Sequence, residues 1–164
     1  MPVQRSIYLL LGSNLNRPIR QLEKARGFIE EYIGKIKATS SIYRTSPWGL
    51  SRQPVFYNQV IRLYSAIKGI KILQLLQEVE KRMGRIPSVK WGPRIIDIDI
   101  LYIGYQSIKM KKLVVPHPRI HERRFVLAPL NDLIPAFRHP KTGKTIHQLF
   151  VNCTDPLFVK KIRE

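Results

Sequence analysis

The stretch from Trp91 to Tyr102, WGPRIIDIDILY, constrains this chain more than any other. Its second half alternates isoleucine and aspartate, so a β-strand would direct Asp97 and Asp99 to one face and the isoleucines to the other. At about 3.3 Å rise per residue, the two aspartates lie about 7 Å apart along the backbone. Ionised carboxylates in an apolar strand are costly unless a cation compensates them. The pair predicts either a site for one or two divalent cations or a half-exposed strand that faces solvent.

The residues just before this strand favour the metal site. The segment from Trp91 to Arg94, WGPR, is rigid, aromatic and cationic, as a loop that covers a phosphate would be. Magnesium is commonly held by one or two carboxylates together with substrate phosphates. We therefore predict that the aspartates bind a divalent cation beside a phosphorylated substrate.

The composition describes a globular domain with polyanionic partners. The 164 residues suffice for one domain with its own core, and 44% are hydrophobic. A formal net charge of +18 points to nucleic acid, a membrane surface or phosphorylated small molecules without choosing among them. The basic residues are spread along the chain, so a general basic bias of the proteome explains the charge equally well.

The single cysteine and the short apolar runs bear on location. Cys153 has no partner for an internal disulfide, which is consistent with the reducing cytosol. The run from Ile7 to Leu11 is too short for the core of a signal peptide, and no run reaches the about 20 residues that span a bilayer. We therefore expect a cytoplasmic protein without a membrane partner.

Apolar periodicity predicts strands and helices in the order βαββαβ, which is the ferredoxin-like arrangement. Asn16 is a candidate N-cap for the first helix, with Pro18 in its first turn. The segment from Ser46 to Val55 is rich in proline, glycine and serine and is predicted to be a binding loop. Strands are predicted at 7–11, 36–45 and 56–64 and in the aspartate segment, and helices at 18–33 and 68–83.

Shorter segments complete the predicted order. Residues 12–14, Gly-Ser-Asn, read as a tight turn with a structural role. Gly104 turns the chain into a short hairpin around Ile108. A helix near 145–151 and a basic tail at 152–164 follow, so we expect a single domain over residues 1–164.

Four segments, taken in chain order, resemble one known family. They are LLLGSNL, YRTSPWG, WGPRIIDIDIL and VPHPRIHERRFVLAPL, within about residues 7 to 150. Together they resemble the bacterial 6-hydroxymethyl-7,8-dihydropterin pyrophosphokinases of folate biosynthesis. The resemblance implies an α+β, ferredoxin-like βαββαβ sandwich with an extra C-terminal hairpin and helices. It also implies transfer of the β,γ-pyrophosphoryl group of ATP to the pterin hydroxymethyl oxygen, giving AMP and the pterin diphosphate.

The resemblance implies catalytic roles for residues around the central strand. Asp97 and Asp99 match the ligands of two magnesium ions that bridge the phosphates and activate the pterin hydroxyl. Arg85 and Arg94 match basic loop residues that reach the triphosphate, whose oxygens a guanidinium can bond bidentately. Trp91 matches the residue that closes over the pterin.

The resemblance also implies two substrate subsites. The pterin-binding residues would be Thr45, Trp48, Phe56, Asn58, Trp91 and Phe125. The ATP-binding residues would be Gln77, Glu80, Arg85, Arg94, Ile100, Lys112, His117 and Arg123. A flat heterocycle needs stacked aromatic faces and an amide at its polar edge, which the first set contains. We expect a monomer that acts on ATP and the pterin with two Mg²⁺ ions, without nucleic acid.

This chain departs from the family pattern at two prolines. Pro87 stands where some members carry a second arginine, so the loop supplies either one or two catalytic arginines. Pro118 follows the histidine where some members have tyrosine. The sequence also offers no evident proton acceptor for the pterin hydroxyl.

Two alternatives to an enzyme stay open from sequence. A βαββαβ sheet also describes RNA-recognition domains, and the positive charge would suit them, but their K/R-G-F/Y-type strand motif is absent here. The second alternative is an inactive regulator that has kept the pocket. The intact aspartate pair and the arginines argue against it.

Overall fold

The computed structural model describes residues 2–162, in which strands and helices alternate. The strands are β1 (Arg5–Ser13), β2 (Ile36–Thr39), β3 (Tyr43–Thr45), β4 (Phe56–Ser65), β5 (Asp97–Ile103), β6 (Ile108–Lys109), β7 (Val114–Val115) and β8 (Val159–Lys161). The helices are α1 (Pro18–Tyr32), α2 (Gly69–Arg82), α3 (Arg124–Leu133) and α4 (Ile146–Val151).

The main sheet is built around β1, which pairs antiparallel with β4 on one side and with β5 on the other. β2 and β3 both pair with β4, and β8 pairs with β3, so the order is β5-β1-β4-β3-β8. β6 and β7 form a separate hairpin, as predicted. With β2 and β3 taken as two parts of the predicted second strand, this is the expected ferredoxin-like arrangement.

Helices cover both faces of the sheet. α1 buries Leu22 and Ile29, and together with α2 it packs on one face. α3 and α4 cover the other face, which includes Leu10 of β1. Asp99 is paired with Leu10 in the ladder, so it points to the α3 side of the sheet.

The register of β1 brings distant parts of the sequence together. Gly12 lies opposite Asn58 of β4 and also opposite Asp97 of β5. Because α3 begins beside this end of the sheet, polar residues from three strands and one helix meet there. The candidate site forms at that position.

The start of α1 differs from the prediction. β1 continues through Ser13, so Gly12 and Ser13 belong to a strand and not to a turn. The residue before the helix is Arg17, with φ of 60°, and no side chain caps the helix. The Asn16 N-cap prediction is wrong because Asn16, with φ of 51°, also lies in a left-handed turn, whereas an N-cap residue is usually extended.

The predicted second strand is divided at Ser40. The backbone N–H of Ser40 donates to the Val60 carbonyl (2.8 Å), and its hydroxyl accepts from the Val60 N–H (2.9 Å). The side chain replaces a backbone acceptor, which lets the chain bend while both halves stay paired with β4.

The last part of the chain contributes to the sheet. Within the predicted tail 152–164, Val159–Lys161 form β8, while residues 163 and 164 lie outside the described range. The helix predicted at 145–151 is confirmed as α4, where Thr145 and Gln148 cap each other reciprocally. Within residues 2–162, no helix has the length and apolar character needed to cross a membrane.

Candidate active site

An open pocket of about 550 Å³, including its mouth, lies where β1, β4 and β5 meet the start of α3. All six residues predicted to bind pterin line it: Thr45, Trp48, Phe56, Asn58, Trp91 and Phe125. Four of the predicted catalytic and ATP-binding residues line it as well: Arg94, Asp97, Asp99 and Arg123. The structure therefore brings residues from five separate segments into one cavity.

Aromatic rings form the walls of the pocket. The ring centroids of Trp48 and Phe125 lie 6.3 Å apart at an interplanar angle of 56°. The Arg123 guanidinium lies 5.3 Å from the Trp48 ring and 5.6 Å from the Phe125 ring. Phe56 completes the lining from the start of β4. The result is an aromatic slot with a cation at its inner end.

One amide forms the polar edge of this slot. The buried Asn58 donates through Nδ2 to the Thr45 hydroxyl at 2.7 Å, which fixes the orientation of its side chain. Gly12 makes room for this amide, because a Cβ there would lie 2.6 Å from Asn58 Oδ1. The edge therefore presents a fixed donor and acceptor to a ligand in the slot.

The two aspartates differ in their surroundings. Asp97 is paired with two arginines, Arg85 at 3.1 Å and Arg94 at 3.4 Å, and Arg85 also pairs with Glu80. Asp99 is half-buried and lines the pocket. Burial raises the pKa of the Asp99 carboxyl to about 7. The negative charge of Asp97 also raises this pKa, whereas the nearby arginines lower it.

This carboxylate pair fits a hard divalent cation. The raised pKa of Asp99 means that its negative charge is under-compensated by the protein, and a cation would relieve that cost. Residues 2–162 contain no group of three or more His, Cys, Asp or Glu side chains that could hold a metal alone. A magnesium ion here would need further oxygen ligands, such as water or substrate phosphates.

Asn14 connects the two loops that frame the pocket. Its side chain accepts from the Arg94 N–H at 2.9 Å and donates to the Gln53 side chain and to the Pro54 carbonyl at 2.9 and 3.0 Å. Gln53 in turn donates to the Trp91 carbonyl at 2.7 Å. The loop at 46–55 and the segment that leads into β5 are therefore held to each other by two side-chain amides, those of Asn14 and Gln53.

Trp91 closes one side of the pocket. Its backbone adopts a φ of 62°, and its ring packs against Gly49, where any side chain would collide with it. Lys90 lies 4.6 Å and Arg119 5.4 Å from the ring centroid, so two cations lie over the indole.

The other predicted ATP-binding residues are distributed around this pocket. Gln77, Glu80 and Arg85 line a second open groove of about 490 Å³, with Ile86 and Pro87. Arg85 joins the two cavities, since it contacts both Glu80 and Asp97. The structure does not bring the side chain of Ile100 or Lys112 to either cavity. Ile100 is packed in the core, and Lys112 is exposed at the turn of the β6–β7 hairpin.

His117 lies near the charged end of the pocket without lining it. The imidazole Nδ1 accepts from the Arg119 backbone N–H at 3.2 Å, and the backbone N–H of His117 donates to the Leu101 carbonyl. Burial lowers the pKa of the imidazole to about 4. The charge of Arg123 also lowers this pKa, whereas that of Asp97 raises it. The ring is therefore neutral at pH 7, and its proton is on Nε2 because Nδ1 is an acceptor.

Several residues of the site were not predicted from sequence. Gly12 was assigned only to a structural turn, yet it lines the pocket, as do Leu10 and Ser46. Gln53 lies in the predicted binding loop and Arg119 in a segment that carries the resemblance, but neither was named as a site residue, although both contact Trp91. The available signal was weak in each case, because these contacts depend on which loops meet in space.

An aromatic slot with an amide edge, opening onto paired aspartates and several arginines, defines a class of protein. It is the equipment of an enzyme that transfers a phosphate-containing group to a flat heterocycle. The family model described as 7,8-dihydro-6-hydroxymethylpterin-pyrophosphokinase (HPPK) matches residues 8–135. The chain belongs to this family, and it is therefore a pyrophosphokinase, which favours the enzyme over the RNA-recognition alternative.

Curated relatives agree with this assignment. A 2-amino-4-hydroxy-6-hydroxymethyldihydropteridine pyrophosphokinase of Pseudomonas aeruginosa is 38% identical to this chain, and the match covers 92% of this chain and 93% of that enzyme. The enzyme of the same name from Bacillus subtilis is 37% identical, and the match covers 77% of this chain and 76% of that enzyme. The folic acid synthesis protein fol1 of Pneumocystis carinii is 37% identical over 92% of this chain, which spans 20% of that longer protein.

Solved structures support the fold. A Plasmodium falciparum HPPK-DHPS with pterin and p-hydroxybenzoate superposes with a TM-score of 0.75 at 19% identity. The match covers 91% of this chain and 42% of that one. The ferredoxin-like fold expected from the sequence is thereby confirmed.

Proposed function

We propose that this chain transfers the β,γ-pyrophosphoryl group of ATP to the hydroxymethyl oxygen of 6-hydroxymethyl-7,8-dihydropterin, giving AMP and the pterin diphosphate for folate synthesis. The observation that carries the proposal is one continuous pocket in which the aromatic slot opens onto Asp97 and Asp99. A heterocycle in the slot would present its substituent to the charged end. Family membership and the names of the bacterial relatives support the same reaction.

The slot would bind the pterin by shape and by its polar edge. Phe56 and Phe125 would provide apolar contact for the ring faces, and Trp48 would add to the wall. The Asn58 amide, oriented by Thr45, would pair with the donor and acceptor groups of the pterin edge. Trp91 would cover the ring from the loop side.

The carboxylates and arginines would act on ATP. Asp97 and Asp99 would hold magnesium, which when bound neutralises phosphate charge and orients the reacting groups. Arg94 and Arg123 line the same pocket and would contact the oxygens on which negative charge develops. Arg85 would reach the phosphates from the second groove, where Gln77 and Glu80 would contact the nucleoside.

His117 would serve as a neutral donor. Its Nε2–H is available to a phosphate oxygen because Nδ1 already accepts from the Arg119 backbone. A neutral donor adds a hydrogen bond without adding another positive charge beside Arg123. The further expectations of a single domain, a monomer and a cytoplasmic location belong to the same proposal.

The direct test is analysis of the nucleotide products. The protein is incubated with magnesium and ATP, with and without 6-hydroxymethyl-7,8-dihydropterin. We expect AMP only in the presence of the pterin, since a simple kinase would release ADP. The Glu78→Gln variant loses the carboxylate of an exposed i,i+4 ion pair far from the aspartates in sequence. It is the matched control for variants that lose the Asp97 or Asp99 carboxylate. Absence of pterin-dependent AMP from folded protein would refute the proposal and favour the inactive-regulator alternative.

A further inference from the structure

Residues 153–162, here called the strap, leave α4 and first bind the start of α3. The buried Asp155 accepts through Oδ2 from the Arg124 N–H at 3.0 Å. The Arg124 guanidinium returns hydrogen bonds to the carbonyls of Asp155 and Cys153 at 3.2 and 2.7 Å. Arg124 stands between Arg123 and Phe125, which both line the pocket. One end of the strap therefore fixes the backbone that carries one wall of the slot.

The other end of the strap binds β3. The Ser46 N–H donates to the Phe158 carbonyl at 2.9 Å, and the Ile162 N–H donates to the Ile42 carbonyl at 2.9 Å. Between these bonds, Thr45 lies opposite Val159 in the ladder. Thr45 and Ser46 both line the pocket, so this end fixes the opposite wall and the base of the loop that carries Trp48.

The two anchored segments meet at the slot. Trp48 follows the β3 side and Phe125 belongs to the α3 side, and their rings pack against each other with centroids 6.3 Å apart. The family match ends at residue 135, before the strap begins. We propose that the strap is a positioning element that sets the width of the aromatic slot and so determines pterin affinity. The inference rests on the proposed function, because it takes the pterin as the occupant of the slot.

A proline at position 160 tests this inference. Antiparallel ladders alternate bonded and non-bonded pairs, and Ser46 with Phe158 and Ile42 with Ile162 are bonded pairs. The pair between them, Arg44 with Lys160, is therefore also bonded, and Lys160→Pro removes an N–H that pairs with β3. Lys160→Ala is the matched control, since it removes the same charge and keeps the N–H.

Two readouts are needed, one for the strap and one for the ligands. Amide hydrogen exchange at Ser46 reports whether the strap has left β3. Calorimetry gives the affinity for the pterin, measured with a non-hydrolysable ATP analogue present, and separately the affinity for the analogue. We expect Lys160→Pro to accelerate exchange at Ser46 and to weaken pterin binding about tenfold, with analogue binding within about twofold of the parent protein. Lys160→Ala should match the parent protein in exchange at Ser46 and in the affinities for both ligands.

Two results would overturn the inference. They are unchanged pterin affinity despite faster exchange at Ser46, and an equal loss of both ligand affinities. If Lys160→Pro does not fold, Asp155→Asn tests the α3 end, because an amide cannot accept from both the Arg124 and Leu157 N–H groups as the carboxylate does. A parent protein that binds no pterin would instead refute the proposed function, while Ser46 exchange would still report on the strap.

Discussion

Replacement of Gly12 with alanine should disable the polar edge of the slot. The added Cβ would lie 2.6 Å from Asn58 Oδ1, whereas ordinary contact begins at 3.4 Å, so the amide must retreat by about 0.8 Å. That movement disturbs the 2.7 Å hydrogen bond from Asn58 to Thr45, which fixes the amide. The strand itself has no need to change, because Gly12 sits in a regular ladder.

The expected loss follows from the cost of a misplaced buried amide. Leaving such a group without its partner costs about 1–3 kcal/mol, so the dissociation constant of the pterin should rise about 5- to 150-fold. The atoms nearest to the new methyl belong to Asn58 and Phe56 and not to the aspartates or arginines, so the affinity for an ATP analogue should not change. Calorimetric titration of each ligand separates the two effects.

Two comparisons make the Gly12→Ala experiment decisive. Gly27→Ala, in α1 with no atom within 4 Å of the new Cβ, should leave both affinities unchanged and increase stability by up to about 1 kcal/mol. With Asn58 already replaced by alanine, Gly12→Ala should cost little more, because the colliding amide is gone. Full pterin affinity in the single variant, or full additivity in the double variant, would refute the reasoning.

Three further predictions concern the two aspartates, Trp91 and His117. Asp97→Asn and Asp99→Asn should each lower kcat by about 10³-fold or more with the fold intact, whereas Glu78→Gln should not; steady-state kinetics with circular dichroism check this, and normal turnover would contradict the metal assignment. Trp91→Ala should lower kcat more than it weakens ATP binding, because a covering loop acts late; an effect confined to ATP affinity would argue against a covering role. For His117, the folded-state pKa of about 4 lies below the usual 6.5, so this side chain binds more protons in the unfolded chain and removes about 3 kcal/mol of stability between pH 7 and pH 4. The raised pKa of Asp99 acts in the opposite direction over the same range, so the test compares two proteins. Urea unfolding should show that His117→Gln gains stability relative to the parent protein as the pH falls from 7 to 4, and an identical pH dependence in both proteins would exclude the contribution of His117.

Local patterns predicted the elements better than their contacts. The alternation of Asp97 and Asp99 with isoleucine placed both carboxylates on one face, and the pocket contains them both. The same alternation directed Ile100 to the opposite face, where the structure has it in the core. The resemblance assigned Ile100 to ATP nevertheless, so any such contact would have to come from its backbone.

The features that sequence reasoning missed depend on long-range pairing. Nothing near Gly12 indicates that Asn58 will lie beside it, because the ladder that joins them connects β1 with β4. The strand β8 is short and basic and has no apolar alternation, so its pairing with β3 could not be inferred from composition. Asn16 carries a typical capping side chain, but its left-handed backbone prevents that use.

The hydrogen bonds of Asn14 have a thermodynamic consequence for the two substrates. The Asn14 side chain is hydrogen-bonded both to the loop beside the aromatic slot and to the segment that carries Arg94. A ligand that orders either segment therefore lowers the entropy cost of ordering the other. Such coupling is reciprocal by linkage, so each substrate should tighten the binding of its co-substrate by the same factor. Asn14→Ala should lower that factor, and the hydrogen bond from Gln53 to the Trp91 carbonyl would carry the coupling that remains.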